Sequence, residues 1–212
     1  MLTDYRLFNG ELESLGETKM LINTLNAHSY NIARKDESFA HSLHLCDVLL
    51  PDGISIVLAK RLLDGQRLQK IAGADLFMYE MNRLNKSGGR VFFMGSTVKT
   101  LKLIKDRASV EYPNVRIYTY SPPYKNEFSK EDNESMLKAI NKVKPDVLFL
   151  GMTAPKQEKW AYNHFNEIKA GHIGCIGAVF DFYSGNIRRA PSWLISLGFE
   201  WFYRLIMEPG RL

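Results

Sequence analysis

The stretch Val147–Trp160, VLFLGMTAPKQEKW, decides the fold. Val147–Leu150 is a short apolar run, of the length of a strand buried on both faces. Thr153-Ala154-Pro155-Lys156-Gln157-Glu158 follows it. Pro155 suits the first turn of a helix, because it lacks the N–H that would go unbonded there and its φ is already helical. A helix is predicted over Lys156–Phe165. Strand, turn and helix in that order form the repeating unit of a parallel α/β sheet.

The same alternation extends in both directions. Strands are predicted at Met20–Leu25, Asp47–Leu50, Val91–Met94, Val115–Tyr120 and Ile173–Phe180. Helices are predicted at Tyr30–Leu45 behind a cap at Ser29, and at Ile54–Leu63, Leu76–Leu84, Val98–Val110 and Lys130–Val143. In the last of these, Met136, Leu137, Ile140 and Val143 recur at helical spacing. The expected fold is α/β: a mostly parallel, Rossmann-like sheet with helices on both faces. Residues 1–190 form that domain, and residues 191–212 a helical appendage.

Composition sets outer bounds. The chain has 212 residues, 45% of them hydrophobic, which is enough for one substantial core. Its formal net charge of +5 suits an anionic partner, without choosing among a nucleotide diphosphate, an anionic lipid and nucleic acid. Cys46 and Cys175 are far apart and lack zinc-ligand spacing, so free thiols in a reducing compartment are expected. The N-terminus carries acids and no apolar signal region, and no run of about 18 apolar residues occurs. A cytoplasmic protein with peripheral membrane contact is expected.

Ligands of open parallel sheets gather beyond the carboxyl ends of the strands. That draws attention to Thr24 and Asn26, Asp52 and Gly53, Gly95 and Ser96, Gly151 through Gln157, and Gly177 through Asp181. No G-x-G-x-x-G follows a strand and no P-loop motif occurs, which disfavours a dinucleotide dehydrogenase and a P-loop NTPase. No D-x-D pair is present to hold a metal on a sugar diphosphate. His41 and His44 share a helix face near Cys46, where an ordinary surface or core pair is expected in preference to a metal site.

Pro51-Asp52-Gly53 lies between a strand and a helix. Asp52 is either a helix cap or a general base at the mouth of the sheet, able to take a proton from a sugar hydroxyl within hydrogen-bond reach. Gly95-Ser96-Thr97 opens a helix whose first N–H groups could hold a phosphate, or it is a simple capped turn. Gln157 can hydrogen-bond a base or a sugar, and Lys156 can meet a phosphate; otherwise both are exposed first-turn residues. Arg188-Arg189-Ala190-Pro191 precedes an aromatic segment, where adjacent arginines suit a diphosphate. That segment, from Trp193 through Leu197 and Trp201 to Leu205, is either core helix or an amphipathic face for lipid.

Taken together, the pieces resemble the TagA/WecG/CpsF family of bacterial glycosyltransferases. The resemblance runs from about Leu21 to Leu212. It rests on Thr24-x-Asn26, Leu50-Pro51-Asp52-Gly53, Ala72-Gly73-Ala74-Asp75-Leu76, Pro155-Lys156-Gln157-Glu158-x-Trp160, Phe180-Asp181-Phe182-x-x-Gly185, Arg189-Ala190-Pro191-x-Trp193 and Glu200-Trp201-x-Tyr203-Arg204-Leu205 with Glu208-Pro209. Each is weak alone; their order and spacing are specific.

The resemblance implies an inverting, metal-independent enzyme with no cofactor. Such an enzyme moves N-acetylmannosamine or a related N-acetylhexosamine from a UDP-sugar to N-acetylglucosamine on undecaprenyl diphosphate. The products would feed cell-surface polysaccharides such as teichoic acid. It assigns Asp52 as the catalytic base and places Thr24, Asn26 and Gln157 in the substrate pocket; Gly95, Ser96, Lys156 and Asp181 join them as substrate-binding candidates from their places at the strand ends. Arg189, Arg204 and Arg211 would meet diphosphate or membrane. The partners implied are the UDP-sugar, the lipid-diphosphate acceptor and an anionic membrane surface, without nucleic acid; homo-oligomerisation stays open. Two departures stand out. Lys70 sits where an arginine commonly precedes the Gly-x-Asp-Leu motif, and the basic residues that usually follow Glu-Pro stop at Leu212. The alternative is a non-catalytic nucleotide-binding scaffold of a membrane assembly, which would bind UDP without turnover; an atypical oxidoreductase is the third reading.

Overall fold

The computed structural model of the chain describes residues 1–187. Within them lie six strands: β1 (Met20–Leu25), β2 (Val48–Pro51), β3 (Arg90–Gly95), β4 (Arg116–Tyr120), β5 (Val147–Gly151) and β6 (His172–Cys175). The helices are α1 (Ala27–Ala33), α2 (Glu37–His44), α3 (Ile54–Asp64), α4 (Gly73–Ser87), α5 (Val98–Glu111), α6 (Lys130–Val143), α7 (Lys156–Asn163) and α8 (Val179–Tyr183). All strand pairs are parallel, in the order β2-β1-β6-β5-β3-β4. The α/β sheet with helices on both faces is therefore the fold. The chain lays β2 outside β1, crosses over to build β3 and β4, then fills the gap with β5 and β6.

Period-two alternation explains why the central strands are apolar throughout. Ile22, Leu50, Phe93 and Phe149 face one side, under α4, α5 and α8. Leu21, Phe92, Leu148 and Ile173 face the other, under α6 and α7. Phe93 and Phe149 are fully buried and stack at 5.8 Å. Burying a phenylalanine side chain contributes roughly 2–3 kcal/mol. A third cluster, with Phe39, Leu43 and Ile56, joins α2 and α3 to the N-terminal segment at the β2 edge.

Three local predictions need correction. The single helix predicted over Tyr30–Leu45 is two: α1 is capped by Asn26, and a break lets Asp36 accept the Phe39 N–H and cap α2. The run Ile173–Phe180 is the end of β6, a turn at Gly177 (φ 48°) and the start of α8. Strand and helix there are both buried, so an apolar run alone could not separate them. The cap of α3 is Gly53 (φ 110°), not Asp52. The predicted appendage, with Arg189, Arg204 and Arg211, lies outside the described residues.

Candidate functional site at the carboxyl edge

The parallel ladder brings the strand ends to one edge. Leu25 pairs with Pro51, and Gly95 with Gly151. The residues just beyond them, from every part of the chain, share that edge. Thr24 is half-buried opposite Leu50, and the Asp52 N–H donates to the Leu25 carbonyl at 2.9 Å. Alternation continues from Leu50 to Asp52 on the face that Thr24 shares.

Asn26 has two partners. Its Oδ1 accepts the Ser29 N–H at 2.9 Å, while its own N–H donates to Ser29 Oγ at 2.9 Å. This reciprocal cap fixes the start of α1. With the carbonyl end committed, the amide nitrogen is aimed at Asp52, and Nδ2 lies 3.5 Å from Oδ2. That is the outer limit of a hydrogen bond. The N-cap residue of α3 is Gly53, so Asp52 stands one position before the cap.

Gly95 (φ 130°) and Ser96 (φ 55°) turn the chain away from β3. A Cβ on Gly95 would stand 2.4 Å from the Gly151 carbonyl oxygen, so only glycine fits where β3 and β5 converge. The Ser96 carbonyl accepts Ser121 Oγ at 2.8 Å, and Thr97 caps α5 by accepting the Thr100 N–H at 3.2 Å. Asn186 Nδ2 donates to Thr100 Oγ1 at 2.9 Å, tying the segment after α8 to the first turn of α5.

Gln157 is buried at the same edge. Its Oε1 accepts the Met152 N–H at 3.2 Å, and its Nε2 donates to Glu158 Oε1 at 2.8 Å. The amide lies against Gly177, where a Cβ would meet Nε2 at 3.4 Å. Glu158 is 2% exposed and its Oε2 has no hydrogen-bond partner. Burial pushes its carboxyl up to about 7. Asp181 sits half-buried in the first turn of α8, close behind the β6 turn.

Lys156 goes elsewhere. Its ammonium donates to the Lys125 carbonyl and lies 3.7 Å from the centre of the Phe128 ring, and burial lowers its pKa. It anchors the loop after β4, on the far side of the sheet from Asp52. The edge thus unites Thr24, Asn26, Asp52, Gly95, Ser96, Gln157 and Asp181, and turns Lys156 aside.

Sequence reasoning gave no role to Glu158 beyond its place in a motif. Its position on the side of α7 that buries Trp160 and Ala161 was the available signal. His41 and His44 have aromatic neighbours: His41 Nε2 lies 3.1 Å from Tyr162 Oη, and His44 stacks on Tyr5 at 4.1 Å. Among the described residues, no three His, Cys, Asp or Glu side chains converge as metal ligands. Both cysteines are free thiols; burial raises Cys46 to about 12 and also pushes Cys175 well above the ordinary thiol value. A cleft of about 430 Å3, lined by Arg83, Arg90, Arg116, Asp146 and His172 among others, lies at the opposite edge and holds none of the candidate residues.

An all-parallel α/β sheet whose polar side chains and positive-φ turns gather at the carboxyl edge belongs to the broad class of Rossmann-like ligand-binding enzymes. The model of the glycosyl transferase WecG/TagA/CpsF family matches residues 8–212. The chain is 38% identical over 192 residues to an N-acetylglucosaminyldiphosphoundecaprenol N-acetyl-beta-D-mannosaminyltransferase of Bacillus subtilis (strain 168), covering 90% of this chain and 73% of that protein. A protein of the same name from Bacillus spizizenii is 30% identical over 179 residues (84% and 68%). Another, from Staphylococcus aureus (strain MW2), is 25% identical over 193 residues (91% and 74%). This chain belongs to the WecG/TagA/CpsF family and is a glycosyltransferase.

Proposed function

We propose that the enzyme transfers N-acetylmannosamine, or a close N-acetylhexosamine, from a UDP-sugar to N-acetylglucosamine on undecaprenyl diphosphate. The observation that carries this reading is the 38% identity to the Bacillus subtilis enzyme across 90% of the chain. The carboxyl edge supplies chemistry that fits it. Asp52 takes the proton of the acceptor hydroxyl. The oxygen then forms its bond to the anomeric carbon from the face opposite the leaving group. The bond to UDP breaks with its electron pair going to the β-phosphate, so the configuration inverts. Asn26 orients the Asp52 carboxylate, and Gln157 and Thr24 hold sugar or base groups.

Charge grows on the departing diphosphate, so donors aimed there lower the barrier. The turn at Gly95-Ser96 and the start of α5, at the carboxyl edge, would supply such donors. Arg189, Arg204 and Arg211 remain diphosphate or membrane candidates outside the described residues. Lys156 stays a phosphate candidate, with its ammonium resting on the Lys125 carbonyl and the Phe128 ring in this structure.

The test is to incubate the protein with a panel of UDP-sugars and lipid-diphosphate N-acetylglucosamine, with and without chelator, and to measure released UDP. Release from UDP-N-acetylmannosamine in excess chelator is the expected result. Loss under chelator with rescue by magnesium or manganese would overturn metal independence. UDP binding without release from any donor would return the scaffold reading.

A further inference from the structure

Helix α3 is turned inside out. A surface helix ordinarily buries its leucines and exposes its lysines. In α3, Lys60 is 1% exposed, whereas Leu58 is 49%, Leu62 85% and Leu63 61% exposed. Lys60 points inward, donating to Asp64 Oδ2 at 2.7 Å and to the Thr3 carbonyl at 3.4 Å. Ile56, 3% exposed, is buried on the same side. Ile54, Leu58 and Leu62 follow one another at intervals of four and form a stripe on the opposite face. Taking a lysine out of water while leaving leucines in it is costly for an isolated surface. The arrangement makes sense if the outward face has an apolar partner.

We infer that this stripe docks α3 on an anionic lipid surface beside the active site. The helix starts at Ile54, directly after the Asp52-Gly53 turn, so the stripe adjoins the carboxyl edge. Its 11 residues span about 16 Å. Arg61, on the helix flank, and Arg67, in the segment that follows, are exposed, and neither has an ion pair among the described residues. An apolar stripe flanked by such cations suits acyl chains below and anionic headgroups around them. The inference rests on the proposed lipid-linked acceptor, which requires the site edge to face a bilayer.

The experiment uses the full chain, sedimented with vesicles of phosphatidylglycerol in phosphatidylcholine and with phosphatidylcholine alone. The double variant Leu58→Gln/Leu62→Gln is compared with Val110→Gln, a control on α5, where Val110 is 81% exposed. Binding to the anionic vesicles is expected to fall about tenfold or more in the double variant and to stay unchanged in the control. Arg61→Gln/Arg67→Gln should weaken binding severalfold and flatten its salt dependence. Light scattering reports mass, and thermal melting reports folding, on each variant. A folded double variant that binds vesicles like the parent overturns the inference. So does a loss of self-association with vesicle binding intact, which would make the stripe an interface between copies. UDP release with a short-chain, water-soluble acceptor should be normal in the double variant. If the parent releases no UDP, the proposed reaction fails while sedimentation still reads the surface.

Discussion

The two edges of the sheet treat polar groups differently. At the amino edge, side chains pair with one another. His172 Nδ1 meets Glu80 Oε1 at 2.5 Å and Arg83 meets Glu80 Oε2 at 2.7 Å, with Glu80 fully buried. Asp146 accepts the Arg90 N–H at 2.7 Å, and the Arg90 guanidinium lies 3.6 Å away. At the carboxyl edge, amides and turns do the organising. Asn26 and Gln157 orient neighbouring carboxylates, and Gly53, Gly95, Ser96 and Gly177 all have positive φ. Buried charge pairs lock a structure in place, and breaking one leaves its partner stranded. Turns with positive φ aim backbone and side chains where regular structure cannot, and such strain collects at functional sites. The contrast teaches that the two ends of one strand can order their polar residues by different means: paired side chains at one end, turns and amides at the other.

The sharpest way to break that contrast is Asp52→Asn. Shape is kept, and Gly53 rather than Asp52 caps α3, so melting temperature and UDP affinity should hold. Turnover should fall about 10²–10⁴-fold, the usual reach of a general base. Near-normal turnover would move the base to another carboxylate, with Asp181 or Asp75 next.

Glu80→Leu tests the other edge. It strands Arg83 and His172 and should cost about 3–5 kcal/mol in chemical denaturation. Turnover per folded molecule should be unchanged. A selective loss of turnover would erase the division between the edges.

Glu158 gives the smallest and most pH-specific effect. Its folded pKa, about 7, lies above the ordinary 4.5 because burial disfavours the charge. The folded chain therefore keeps this proton over a range where the unfolded chain has lost it. The resulting stabilisation is complete below pH 4.5 and is lost as pH climbs through about 7. Denaturation of the parent and of Glu158→Gln, measured side by side, should show the parent losing up to roughly 3 kcal/mol relative to the variant across that window. A pH-independent difference would mean that Glu158 does not titrate there.

Much of this was legible in the sequence. Strand positions came from apolar runs, and α6 matched its predicted limits because Ser129 and Asp132 cap it reciprocally. The carboxyl edge followed from parallel topology alone. What stayed hidden depended on tertiary partners. The break before α2 needed the Asp36 cap to win over continuing helical periodicity, and the α8 turn needed a glycine within an apolar run. Asp52 and Gly53 both suit an N-cap, and only geometry separated them. The contacts of Lys156 with Lys125 and Phe128 were hidden because that loop is distant in sequence. The His172–Glu80 pair joins residues 92 apart and left no local trace.

The paired glycines at the ends of β3 and β5 have one more consequence. A Cβ on Gly151 would lie 2.2 Å from the Phe180 ring, so α8 rests directly on bare backbone. The height of α8 above the sheet, and with it the reach of Asp181, is thus set by a missing methyl group. Gly151→Ala acts as a shim: to clear the Phe180 ring, α8 would have to lift by more than about an ångström, carrying Asp181 with it.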